Sequence, residues 1–122
     1  MSEDKRRASW RRGRLAEALS LWRLRLAGWR ILATNYRSPV GEIDIIARRA
    51  GVIAFIEVKA RETAQDAAAA LSPAQRRRIE RAAEAFLART PARPAATLRF
   101  DIMLVLPWRI PKHLADAWRL LE

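Results

Sequence analysis

Residues 40–60 hold two apolar, β-branched runs with a turn at Ala50-Gly51 between them, and that spacing leaves the chain few options. Runs of this length with a short connection between them read as strands at 40–48 and 52–60, paired as an antiparallel hairpin. The second is apolar on both faces at its start, with Val52, Ala54, Ile56 and Val58 on one side and Ile53 and Phe55 on the other, so it reads as a central strand. Set into GEIDIIA at 41–47 and FIEVKAR at 55–61 are Asp44, Glu57 and Lys59. An unpaired buried charge costs roughly several kcal/mol or more, so such strands keep acids only if something compensates them. Hairpin pairing brings Asp44 beside the strand of Glu57, and the two-residue period carries Glu57 and Lys59 along the Ile53/Phe55 face.

The remaining pattern builds around this hairpin. Residues 1–9 are polar and read as a frayed tail. Residues 10–27 are helical, with Leu15, Leu19, Trp22 and Leu26 in one stripe and Leu21 and Leu24 in a second. A helix apolar on two sides is expected to pack between elements. Gly28 is a C-cap, residues 29–37 form a strand, and Ser38-Pro39 ends it. Residues 61–71 fit a loop or a short helical turn. Ser72 and Pro73 open a helix to about residue 89, with Ile79, Ala82, Ala83, Phe86 and Leu87 inward. Pro91 and Pro94 bracket a linker, and residues 97–106 form a fourth strand that stops at Pro107. Leu114, Ala117, Trp118 and Leu121 recur at helical spacing, which predicts a short helix over 112–121 covering the sheet, or else forming a dimer contact. The predicted order is helix, three strands, helix, strand, helix: an α/β fold with a mixed sheet flanked by helices.

At 122 residues the chain suits one domain, taken as residues 10–122 behind the 1–9 tail. With no cysteine, disulfides and thiolate metal sites are excluded. The charged N-terminus is unlike a secretory signal and no run is long enough to span a bilayer, so a cytoplasmic protein without membrane contact is expected. Lys and Arg number 24 against 13 Asp and Glu, a net +11. Ten of the basic residues and only three acids fall in residues 1–37. An excess of this size points to a polyanionic partner, most simply nucleic acid. The candidate contacts are Arg11, Arg12 and Arg14 on the first helix, Asn35 and Arg37, Arg61, and Gln75, Arg76, Arg77 and Arg78 at the second helix start.

Two carboxylates with water and a phosphate oxygen suit a hard divalent cation, Mg²⁺ or Mn²⁺. A bound metal acidifies water, and the Lys59 ammonium can meet the charge that develops on the phosphate. Glu17 on the first helix is a candidate further acid. The blander readings are a surface ion pair for the E-x-K triplet, a solvated or capping role for His113, and an arginine partner for Asp101. Asn35, Tyr36 and Arg37 fit either a turn or support for the Asp44 strand. Base stacking by Trp10 or Trp108 has only residue type behind it.

Asn35-Tyr36-Arg37, Gly41-Glu42-Ile43-Asp44, the run from Phe55 through Glu57 and Lys59 to Arg61, and Arg99-Phe100-Asp101-Ile102 closely resemble the YraN family of bacterial predicted endonucleases. That family is similar to archaeal Holliday-junction resolvases and belongs to the restriction-endonuclease-like, PD-(D/E)xK superfamily, whose core order is αβββαβ. The resemblance runs from Gly13 to the last predicted helix. It implies Asp44 and Glu57 as metal ligands, Lys59 as the catalytic lysine and Glu17 as the helix-one acid. It also implies an Mg²⁺- or Mn²⁺-dependent endonuclease acting on DNA, including branched or structured DNA. Gln75 departs from the lysine usual after the proline of the second long helix, and the arginines that follow can substitute. The alternatives are a non-catalytic nucleic-acid-binding module in a DNA repair or uptake complex, and a scaffold that forms a homodimer through its last helix.

Overall fold

The computed structural model describes residues 3–63, 65, 71–90 and 96–119, with side chains from residue 13 onward. Helix α1 (Glu3–Leu26) leads into strands β1 (Arg30–Ser38), β2 (Gly41–Arg49) and β3 (Val52–Ala60). Helix α2 (Pro73–Arg89) carries the chain to β4 (Thr97–Val105), and β5 (Lys112–Trp118) closes the order. The sheet runs β1-β2-β3-β4-β5, antiparallel throughout except for the parallel β3–β4 pair that α2 connects. The expected α/β architecture, with β3 in the middle of a mixed sheet, is what forms.

Each sheet face has its own core. On one, Ile79, Ala82 and Ala83 of α2 pack on Ile43, Ile46, Ile53, Phe55 and Phe100. On the other, Leu24 of α1 and Trp29 pack on Ile45, Ala47, Ala54, Ile56 and Met103. The two faces read for β3 thus separate as its alternation requires. Ser72 caps α2: its hydroxyl accepts from Gln75 N–H, and the Gln75 side chain accepts from Ser72 N–H.

Three expectations are corrected. Where a helix is expected over 112–121, the described residues Lys112–Trp118 form a strand, because the open edge of β4 offers backbone partners that a ten-residue helix cannot match. Leu114 pairs with Ile102, His113 with Met103 and Lys112 with Leu104. A register shift then seats Trp118 beside Phe100, with ring centroids 5.1 Å apart. Trp118 is therefore buried and offers no dimer contact, while Leu121 lies outside the described residues. Helix α1 begins at Glu3 rather than Trp10, and its first turn carries Glu3 and Asp4, the sign a helix N-terminus favours. Nor is α1 packed between elements. Its buried stripe is Ala16, Ser20 and Leu24, with the Ser20 hydroxyl donating to Ala16 C=O at 2.7 Å, whereas Leu15 and Leu26 stay 60% and 66% exposed. Small residues at 16 and 20 let the helix sit close to the sheet, a signal that counting leucines overlooks. The linker at 91–95, and residues 64 and 66–70, lie outside the described residues.

Candidate active site

The site arises where β2 leaves β3. Their ladder ends at the pair Ile45–Ile56, while β1 and β2 stay paired down to Ser38 and Gly41. Face alternation slips at the same place: Ile43 and Ile46 join the α2-side core, Ile45 and Ala47 the α1-side core. Residues two apart share a face in a regular strand, so the irregularity falls at Asp44. In β1 the opposing position, bracketed by Thr34 and Tyr36, is Asn35 at φ +49°, a left-handed value that asparagine tolerates better than most.

In the resulting gap the Asp44 carboxylate takes over the role of the ladder, its Oδ2 accepting from Val58 N–H at 2.9 Å. Glu57 lies close enough to the same carboxylate for the two charges to act on each other, and Lys59 Nζ stands 3.4 Å from Glu57 Oε1. Lys59 is only 8% exposed. The structure thus brings together the three residues that the two strings singled out.

These acids are under-compensated. Burial, then the charge of Asp44, pushes Glu57 up from 4.5 to about 7, and Lys59 offsets only part of that. Burial likewise raises Asp44 despite the Val58 hydrogen bond. Two carboxylates a proton short of comfortable are a donor set with negative charge to spare, and Mg²⁺ binds through one or two carboxylates while keeping several waters. Among the described residues no group of three or more His, Asp or Glu is placed to hold a cation, so the fit rests on Asp44 and Glu57 alone.

A cleft of about 340 Å³ opens onto Asp44 from the α1 side, lined by Gly13, Arg14, Ala16, Glu17, Val58 and Ala60. Glu17 is held there by Asn35, whose Nδ2 donates to Glu17 Oε1 at 2.8 Å. Glu17 shares this cleft with Asp44, whereas Glu57 and Lys59, continuing the Phe55 face of β3, are not among its walls. The candidate further acid therefore approaches Asp44 from the other side of the gap.

The basic candidates are spread around this end of the sheet. Arg14 is on the cleft wall. Exposed Arg37 pairs with Glu42 at 3.5 Å, and Arg61 Nη1 donates to Ala60 C=O at 2.8 Å. Arg76, Arg77 and Arg78 are exposed on the first turns of α2, and Gln75 is engaged in the cap. The side chains of Arg11 and Arg12, and that of Trp10, lie outside those described. One determinant escaped the sequence reading. Gly41 lies so close to the Arg78 backbone that any Cβ would collide with its carbonyl, and this contact sets α2 against the start of the Asp44 strand. A glycine opening a strand is the available signal for such an approach.

A second acid centre lies on the α1-side face. Asp101 is fully buried and receives Arg99 through two bonds of 2.9 Å, His113 Nε2 at 2.6 Å and Asp116 N–H at 2.9 Å. Trp29 covers it, edge-on to His113 and under the guanidinium of Arg99. The arginine partner expected for Asp101 is present. His113, expected to be solvated on a helix, is instead half-buried in β5, because pairing with β4 turns it towards Asp101.

The family described as "Uncharacterised protein family UPF0102" matches residues 16–105, the stretch from the cleft wall of α1 to the end of β4. The chain belongs to the UPF0102 family. This is the YraN family of the resemblance, so the family expected from the motifs is confirmed, whereas no activity accompanies its description. A UPF0102 protein of Paramagnetospirillum magneticum is 50% identical over 117 residues, 93% of this chain and 91% of the relative. One of Methylocella silvestris is 50% identical over 116 residues, 95% of this chain and 93% of the relative. One of Parvibaculum lavamentivorans is 49% identical over 112 residues, 92% and 84% of the respective chains. No helix among the described residues of this UPF0102 chain is long and apolar enough to cross a membrane.

Proposed function

We propose that this UPF0102 protein is a metal-dependent nuclease that hydrolyses phosphodiester bonds in DNA, with branched or structured DNA as its preferred class. The observation that carries the reading is the under-compensated pair Asp44 and Glu57, with Lys59 beside it, at the point where two core strands separate. Asp44 and Glu57 would hold Mg²⁺ or Mn²⁺, which when bound neutralises phosphate charge and makes water a usable nucleophile at neutral pH. The protein's own contribution is orientation and electrostatics. Val58 N–H fixes one Asp44 oxygen at the mouth of the gap. The Lys59 ammonium, tethered by Glu57, is available to a non-bridging phosphate oxygen as negative charge builds. Glu17, oriented by Asn35, can order water on the cleft side of Asp44. Arg14 beside the cleft and the arginines of α2 suit the flanking phosphates, and the net +11 supplies steering.

The test is cleavage of duplex and branched DNA with Mg²⁺ or Mn²⁺ by the intact protein and by Asp44→Ala and Lys59→Ala. Turnover by the wild type alone is expected. No cleavage of any substrate, or equal cleavage by the variants, would sink the proposal. Salt-sensitive binding without turnover would leave a nucleic-acid-binding module. Calorimetric titration with Mn²⁺ separates the two readings independently, because only a nuclease site should bind the metal and lose it on Asp44→Ala.

A further inference from the structure

The outer stripe of α1 lines an apolar groove. Leu15, Leu19 and Trp22 form one wall, and Pro107, Trp108 and Ile110 of the β4–β5 loop form the other, around a volume of about 760 Å³. That is the size range of small-molecule pockets. Trp108 is fully exposed and sits at φ +60°, where a bulky aromatic is a genuine outlier. Backbone strain of this kind persists only when the surroundings impose it, and Pro107 and Pro111 bracket the loop. The groove is continuous with the Asp44 cleft, since Ala16 and Ala60 line both. Its rim carries Arg61 and Arg109 against one acid, Glu62. A chain of net +11 with a basic rim repels a second copy of itself and attracts a polyanion. Apolar walls with an exposed indole, edged by guanidinium groups, suit an unpaired nucleobase whose flanking phosphates meet the rim.

We infer that this groove takes a base of unpaired DNA next to the phosphodiester presented to Asp44 and Glu57. The substrate class is then DNA with single-stranded or splayed nucleotides at the cut, such as flaps, forks and junction arms. The inference rests on the nuclease reading for its placement, but its test needs no cleavage.

Fluorescence anisotropy of the full chain, in EDTA, compares a labelled ten-nucleotide thymidine strand with an abasic strand of equal length and charge. The base-bearing strand should bind about 5- to 150-fold more tightly, the range expected from stacking one base. Trp108→Ala should erase most of that difference while leaving abasic binding unchanged, and Trp108→Phe should retain most of it. Asp44→Ala should leave the difference intact. Equal wild-type affinity for the two strands would overturn the inference, as would equal loss on both with Trp108→Ala. A dimer that Trp108→Ala splits in sedimentation, with the base preference untouched, would assign the groove to a second copy instead. Absence of cleavage on every DNA would remove the nuclease reading without altering any of these binding results.

Discussion

Two carboxylates, Asp44 and Asp101, are each anchored by a backbone N–H at 2.9 Å from a neighbouring segment, yet they behave in opposite ways. Burial acts to raise both. At Asp101, His113, Arg99 and the Asp116 N–H outweigh it and hold the carboxyl below the ordinary range. At Asp44 burial outweighs the Val58 N–H and Lys59, and at Glu57 burial and then the charge of Asp44 outweigh Lys59, so both are pushed upward. One centre has its charge matched within the fold, and the other has negative charge left over. A buried polar group with a complete set of partners has a structural role, whereas one left short of partners is a candidate for function.

The contrast can be broken most directly at Glu57. Glu57→Gln should lower cleavage on the order of 10³-fold while raising the melting temperature of the metal-free protein at pH 8. A fall in both would make Glu57 a structural acid like Asp101. The converse substitution, Asp101→Ala, strands the Arg99 and His113 donors and should cost roughly 3 kcal/mol in urea denaturation, with cleavage per folded molecule unchanged. A matching loss of specific activity would move Asp101 into the site.

The pH dependence sharpens the same comparison, because the two centres have opposite signs. A folded value for Glu57 of about 7, above 4.5, means that the native state holds a proton the unfolded chain has released. Metal-free stability should therefore fall as pH rises between those values, by up to about 3 kcal/mol, and stay low above pH 7. The slope should shrink in Glu57→Gln to the part that the raised Asp44 carboxyl contributes, and be reversed by saturating Mn²⁺. The depressed carboxyl of Asp101 stabilises the fold above its unfolded value near 3.8, and that stability is lost as pH falls through its folded value. Chemical denaturation from pH 3 to pH 9 resolves both limbs. Ser72→Ala, which touches neither centre, should cost only about 1 kcal/mol through the α2 cap and leave the pH profile unchanged.

Much of this was legible in residues 40–60. Strand alternation assigned the two faces of β3, and the short turn gave the hairpin, so Asp44, Glu57 and Lys59 could be gathered before any coordinate was known. What misled was period without partner. Leu114, Ala117 and Trp118 fit a helix as well as a strand, and only the unsatisfied edge of β4 decides between them. The leucine stripes of α1 pointed to the wrong buried face, because Ala16 and Ser20 win the sheet side by being small. The slip of alternation at Asp44 has no local signature at all. It is a property of three strands together, expressed in the Val58 N–H that Asp44 accepts and in the backbone of Asn35.

The Gly41–Arg78 contact gives the molecule a ruler. Backbone touches backbone there with no side chain to yield, three residues before Asp44 and on the turn that displays Arg76, Arg77 and Arg78. The separation between the basic helix start and the acid pair is consequently a fixed length, insensitive to drift in the surrounding loops. On the nuclease reading, a polymer gripped by those arginines would be measured against it, and the number of phosphates between grip and acid pair would be set by the fold.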